Sequence, residues 1–315
     1  MPGIIAWEDD PHASADTEPV GRPIPDFAHP GLGLAMVGPK PAARVYPPET
    51  HGFRYWNATD ALDRAVDYWS RVVPGGARWH TGRPLVVDLD AGDDLNAYYD
   101  RQQLCFFHAT VRGVTVYSGE SPDVLCHELG HALLDAIRPQ LWNAASIEVA
   151  AFHEAFSDIS AMLSALTLPS VREDVLAGTG GRLSRASRVS RLAEQLGWAI
   201  RQLHPDAVDP DCLRNAVNSF FYRQPENLPP MAPASVLSSE PHSFSRVFTA
   251  AWLESLAGMA EGRGTGGDAL AAASLDAGRL LAGAVGTARI ASNYFAQVAA
   301  GLLAADERLT RGAYR

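Results

Sequence analysis

The feature that most constrains this chain is the stretch Cys126-His127-Glu128-Leu129-Gly130-His131 and the run that follows it as far as Asp158. His127 and His131 are four residues apart, so on a helix they share one face, one turn from each other. Two imidazoles so placed can hold one Zn²⁺, with Glu128 beside the metal as a group able to take a proton from water. The flanks predict a helix. Asp123 is positioned to cap its start, Val124, Leu125, Leu129, Leu133 and Leu134 supply apolar positions, and Pro139 stops the pattern. Taken alone, the pentapeptide fits an amphipathic helix with two solvated His side chains just as well.

A metal held by two His side chains needs a third protein ligand and keeps one position open. Phe152-His153-Glu154-Ala155-Phe156-Ser157-Asp158 lies on a second periodic stretch, with Val149, Phe152, Phe156, Ile159 and Leu163 on one face. Glu154 and Asp158 are again one turn apart. Glu154 can therefore ligate the metal while Asp158 accepts a hydrogen bond from a ligand imidazole and fixes its tautomer.

His127-Glu128-Leu129-Gly130-His131 followed by Glu154-Ala155-Phe156-Ser157-Asp158 resembles the thermolysin family of zinc metallopeptidases, which are gluzincins. The resemblance implies that Glu154 is the third zinc ligand and that Asp158 orients the first His. It also implies an α+β fold of two lobes, a β-rich N-terminal one and a mainly helical C-terminal one, with the HExxH helix at the cleft floor. Asn96-Ala97-Tyr98 looks like the family's edge strand, in which the backbones of Asn96 and Ala97 hold an extended substrate. Cys212-Leu213-Arg214-Asn215 and Glu240-Pro241-His242-Ser243-Phe244-Ser245 resemble two further active-site segments, and the 28-residue step from Arg214 to His242 agrees with the family's interval. Singly, Arg214 and His242 read as a surface ion pair and a core His. The resemblance gives Arg214 the substrate carbonyl beyond the scissile bond and His242 the oxyanion of the tetrahedral intermediate. Val124 and Leu213 match positions lining the pocket after that bond.

Three departures accompany the match. The interval from His131 to Glu154 is slightly long, which suggests an insertion around Trp142 to Ser146, and Trp142 is the nearest aromatic to a Tyr that the family carries there. Leu237 stands where an Asp normally orients the His, leaving Glu240 as a substitute. The family's acidic calcium cluster is thinned to Asp123 and the Glu173-Asp174 pair, with Ala165 where a carboxylate is expected. Zn²⁺ is the expected cofactor, with little dependence on calcium.

With 315 residues, 47% of them hydrophobic, the chain can bury a sizeable core. A net charge of −10 argues against nucleic-acid or anionic-membrane partners, and no uninterrupted 18-residue apolar run predicts a membrane span. Cys105, Cys126 and Cys212 form no CxxC and predict reduced thiols, with Cys126 a small buried residue of the zinc helix. The opening residues lack a basic n-region and an apolar h-region, which points to the cytoplasm.

Along the chain, residues 1–50 are Pro- and Gly-rich and predict extended structure with short edge strands. Residues 51–137 form the β-rich lobe ending in the zinc helix, and 138–315 the helical lobe. A helix is expected from an N-cap at Thr59 to Val73, stopped by Pro74-Gly75-Gly76, followed by strands over Leu85–Leu89, Leu104–Phe107 and Val114–Tyr117. Arg182, Arg185, Arg188 and Arg191 predict a solvated helix face, Gly262 to Gly267 a surface loop, and Asp268–Val285 and Ser292–Ala304 closing helices. The expected activity is zinc-dependent hydrolysis of a peptide or protein on the amino side of bulky apolar residues. Two alternatives remain: a zinc hydrolase of a small non-peptide amide, and a catalytically impaired thermolysin-like binding module.

Overall fold

In the computed structural model, which describes residues 3–73 and 76–314, the chain forms a mixed α+β fold. The N-terminal stretch contributes β1 (Ile4–Ala6), paired antiparallel with β2 (Val20–Arg22), and then β3 (Leu34–Met36). The rest of it is irregular, as its prolines predict.

Helix α1 (His51–Val72) begins earlier than the expected cap at Thr59. Thr50 is the N-cap and accepts from the Phe53 amide at 3.2 Å, while Thr59 lies inside the helix and donates its hydroxyl to the Tyr55 carbonyl. The first turns show no apolar stripe because Phe53, Tyr55 and Trp56 are all buried, the last two together with Ile4. The expected stop at Pro74-Gly75 lies outside the described residues.

Strands β4 (Leu85–Asp88), β5 (Ala97–Tyr99) and β6 (Gln103–Phe106) complete a four-stranded sheet of order β3-β4-β6-β5. Its first three neighbours are parallel, and β5 is an antiparallel edge strand with Ala97 opposite Phe106. A hairpin of β7 (His108–Val111) and β8 (Val114–Tyr117) follows. Its two-residue turn, Arg112-Gly113, has φ of 52° and 82°, the left-handed backbone that matches hairpin twist.

Helix α2 (Pro122–Ile137) carries the HExxH motif. Ser121, not Asp123, is its N-cap, accepting from the Val124 amide, and Pro122 fills the first turn where no amide donor is needed. Asp123 turns away and accepts from the Ala193 amide at 2.9 Å. After a short 3₁₀ turn over Pro139–Asn143, Ser146 caps α3 (Ile147–Ala165). The two helices approach backbone to backbone at Gly130, where a Cβ would stand 2.6 Å from Ser157 Cα. Helix α1 lies against them, with the Trp69 ring 4.9 Å from that of Phe156 and its indole N–H donating to Ser160 Oγ at 2.9 Å.

Beyond α4 (Pro169–Thr179) the expected arginine-faced helix does not form. Gly180 and Gly181 take positive φ and end α4, and the segment turns repeatedly before β9 (Arg191–Leu192). Arg188 is not solvated but donates to Asp9 at 2.6 Å. Helix α5 (Glu194–Leu203) separates β9 from its antiparallel partner β10 (Arg214–Asn215). Helices α6 (Pro241–Arg263), α7 (Gly267–Thr287) and α8 (Tyr294–Thr310) follow, with the expected exposed loop between α6 and α7. Contrary to the expectation of no such segment, α7 has the length and mean hydropathy of a bilayer-crossing helix. It carries Asp276 and Arg279, and it buries Leu270, Ala273, Leu281 and Val285 in the core, as an internal helix does. Phe248 of α6 meets Phe152 of α3 edge-on at 5.1 Å, fixing α6 against the helix that bears Glu154.

Candidate metal centre and cleft

The 3.6-residue repeat places His127 and His131 on the same side of α2, and Glu154 of α3 faces them. Glu154 Oε2 stands 3.4 Å from His127 Nε2, and Oε1 stands 3.6 Å from His131 Nε2. One atom from each of the three residues lies within 4.8 Å of the others. Bonds of about 2.1 Å in a tetrahedron put ligand atoms about 3.4 Å apart, so these separations suit Zn²⁺. Glu154 Oε2 is moreover covered, with no partner at hydrogen-bond geometry, and is turned toward the His127 and His242 rings.

The tautomer of His127 follows from its neighbour. A carboxylate can only accept, so the 2.9 Å contact with Asp158 Oδ1 puts a proton on Nδ1 and leaves Nε2 as the ring atom that faces Glu154. Asp158 is itself held by Arg214, whose Nη2 and Nε donate to its two oxygens at 2.7 and 3.1 Å. This fork-to-fork pair is the strong, planar kind.

Electrostatics in the cleft are uneven. Burial would lower His127, but Asp158 and Glu154 outweigh it and raise its pKa to about 9. Burial dominates at His131 and lowers it to about 3. Burial opposes the charge on Asp158, yet Arg214 and His127 hold that carboxyl at about 2. Glu154 is likewise kept well below the usual range, against its burial, by His131 and His242. Glu128 differs from both: it is 7% exposed, and burial lifts it to about 7. A carboxyl with that affinity can both take and return a proton near neutral pH.

His242 opens α6 and reaches Glu154 Oε2 with its Nε2 at 3.3 Å. Its Nδ1 meets Glu240 Oε1 at 2.5 Å. The position of the expected Asp, Leu237, is buried in the main core instead.

Two cavities, of about 440 and 420 Å³, meet at His127, Glu128 and His242. The first is lined by Asn96, Val124, Leu196, Ile200, Leu213 and Arg214. The second is lined by Tyr98, Tyr99, Trp142 and His153, and Ala97 borders both. Every residue that the sequence singled out for the site therefore lies on one continuous cleft. Asn96 spends its side-chain oxygen on the Ala97 amide at 2.9 Å, just ahead of edge strand β5.

Sequence reading did not single out His153, Tyr99 or the aromatic wall they make with Trp142. His153 precedes a metal-ligand candidate by one position, which on a helix is a different face, so spacing gave no signal. Its ring stacks on His131 with centroids 5.9 Å apart, and burial lowers its pKa. No protein-family model matches this chain, and no curated protein matches it at a meaningful level.

Proposed function

We propose that the chain is a zinc-dependent peptidase of thermolysin-like, two-lobed architecture. The observation that carries this reading is the convergence of His127, His131 and Glu154 on one point, with the buried Glu128 beside it, where two cavities meet. Zn²⁺ held by those three side chains would supply a Lewis acid that polarises a carbonyl and acidifies water.

The rest is the work of the chain's own groups. Glu128 takes a proton from the attacking water and later delivers it to the leaving amine, a role suited to a carboxyl lifted to about 7. His242, steadied by Glu240 at 2.5 Å, donates from Nε2 to the oxyanion. Arg214 has both Nε and Nη2 engaged with Asp158, which fixes its guanidinium and leaves Nη1 as its donor to a substrate carbonyl. Edge strand β5 offers unpaired backbone groups to an extended chain. A peptide rather than a small amide is favoured because cavities of about 440 and 420 Å³ lie on both sides of the centre. Retention of a partner for His242 weighs against an impaired module.

The apolar lining of the first cavity, Val124, Leu196, Ile200 and Leu213, suits a Leu or Phe side chain, whose burial is worth about 1.5–3 kcal/mol. Zinc-loaded protein incubated with a diverse peptide library should yield new N-termini that are mostly bulky and apolar. Glu128→Gln should keep one zinc per chain and lose cleavage by on the order of 10²-fold or more. Undiminished cleavage by that variant, or products beginning mainly with charged residues or Gly, would overturn the reading.

A further inference from the structure

The second cavity is bordered by a polar side chain that the proposed chemistry does not use. His153 stands on α3 one position before Glu154, and its ring has no hydrogen-bond partner among the described residues. Its Nε2 is covered outright. Burial favours the neutral ring, which has one N–H to give and one lone pair to fill. A covered polar group costs free energy for as long as it stays unpaired. Such a group in the wall of a substrate cleft gains its partner when the substrate arrives.

The wall around His153 is aromatic and held in place. Trp142 meets the His153 ring edge-on with centroids 6.0 Å apart, and it meets Tyr99 edge-on at 5.6 Å. The His153 ring also stacks on His131 at 5.9 Å. This frame is fastened to the helix that bears His127 and His131. Asp135 lies one turn beyond His131 on α2 and is 1% exposed. It accepts from the Tyr99 hydroxyl at 3.0 Å and from Arg101 Nη2 and Nε at 2.7 and 3.0 Å. Arg101 in turn lies over the Trp142 ring, 5.4 Å from its centroid. The Tyr99 hydroxyl and the Arg101 guanidinium are therefore occupied. Tyr98 and Trp142 are exposed, which leaves His153 as the unpaired polar group inside the wall.

These walls select by chemistry. Aromatic rings pack edge to face against Trp142 and Tyr99, and about 420 Å³ has room for one. A charged tip would shed its water beside Asp135 and Arg101, which are already spent on each other. A Phe side chain would fill the space and leave His153 unpaired. A phenol fills it equally well, and its hydroxyl can give or take the missing hydrogen bond.

We propose that the second cavity recognises a tyrosine-like side chain on the amino-terminal side of the cleaved bond, and that His153 determines this specificity by hydrogen-bonding the phenol hydroxyl. This rests on the peptidase reading above, in which the first cavity takes the residue that follows that bond.

The test compares two peptides that differ only in carrying Tyr or Phe before a Leu. Their affinities are measured on zinc-loaded full-length Glu128→Gln protein, which keeps turnover out of the readout. The Tyr peptide should bind about tenfold more tightly than the Phe peptide. Adding His153→Leu should bring the two affinities within about twofold of each other. Adding His153→Gln instead keeps a donor and an acceptor, and should retain part of the preference for Tyr. Equal binding of the two peptides to the Glu128→Gln protein would overturn the proposal and leave the peptidase reading standing. A preference for Tyr that survives His153→Leu would do the same. Binding of neither peptide would overturn both. Because His153 touches His131, zinc content is measured on each variant, and where His153→Leu fails to hold one zinc per chain the Tyr-to-Phe ratio with His153 in place decides.

Discussion

His242 meets Glu240, two residues before it, while Leu237, five residues before it, is packed among apolar side chains. Glu240 has two tasks, because its other oxygen accepts from the Ser243 amide and caps α6. The two can be separated. Glu240→Ala should cost about 1 kcal/mol of stability from the lost cap and lower kcat by about tenfold from the loosened imidazole. Glu240→Gln keeps an acceptor for both and should do less on each count. His242→Ala should lower kcat on the order of 10²-fold with little change in KM, and equal rates in parent and variant would remove His242 from the chemistry. At this scale the site was largely legible. The candidate metal ligands are read from two i, i+4 pairs, His127 with His131 and Glu154 with Asp158, and Glu128 from its place inside the first, whereas Glu240 acts across a helix start, where no repeat operates.

Between elements, the closest approach of α2 and α3 is at Gly130, beside His131 and opposite Ser157. Gly130→Ala puts a methyl 2.6 Å from the Ser157 Cα, and backbone cannot step aside as a flexible side chain does. A loss of about 1–3 kcal/mol in denaturant unfolding, with weakened zinc affinity, is expected. Zinc binding as tight as the parent's would mean that the helices do not set the ligand spacing. The acidic junction of the N-terminal segment, α2 and α5 adds a pH dependence. Burial raises Asp10 to about 6 and Glu194 to about 9, and it raises Asp123 well above the carboxylate range. Folded pKa values above the unfolded ones mean stability that is full below about pH 4 and is lost as pH rises toward 9. Asp9, Arg188, Arg191 and Asp211 are the other charges at that junction. Tm should therefore fall across that window; a flat profile would show that these acids are not buried as described. Sequence patterns located α2, α3 and α7 because their large apolar residues recur at helical spacing. They misplaced the start of α1, where Phe53, Tyr55 and Trp56 are buried all round, and turned the Arg182–Arg191 stretch into a helix that Gly180 and Gly181 interrupt.

Across the whole molecule, the α+β character and the order of strands and helices were readable, because local alternation and helical repeats survive without knowledge of neighbours. What joins distant segments was not. Asp10 meeting Glu194, Arg188 meeting Asp9, and Tyr68 donating to the Ser274 carbonyl at 2.6 Å are decided by tertiary packing alone. Because Gly130 lets α2 and α3 pack in contact, the three candidate ligands and Asp158 travel as one block, with none of them on a loop. The cleft can then breathe through the segment before α6 without parting these side chains. Escape of a Zn²⁺ held there would be a kinetic matter governed by how often those two helices part, which is an unfolding event and not a local fluctuation. Trapping released zinc with a colorimetric chelator should give a rate that climbs with urea as steeply as the unfolding rate itself. A release rate far faster and indifferent to urea would mean that the block comes apart in the native state.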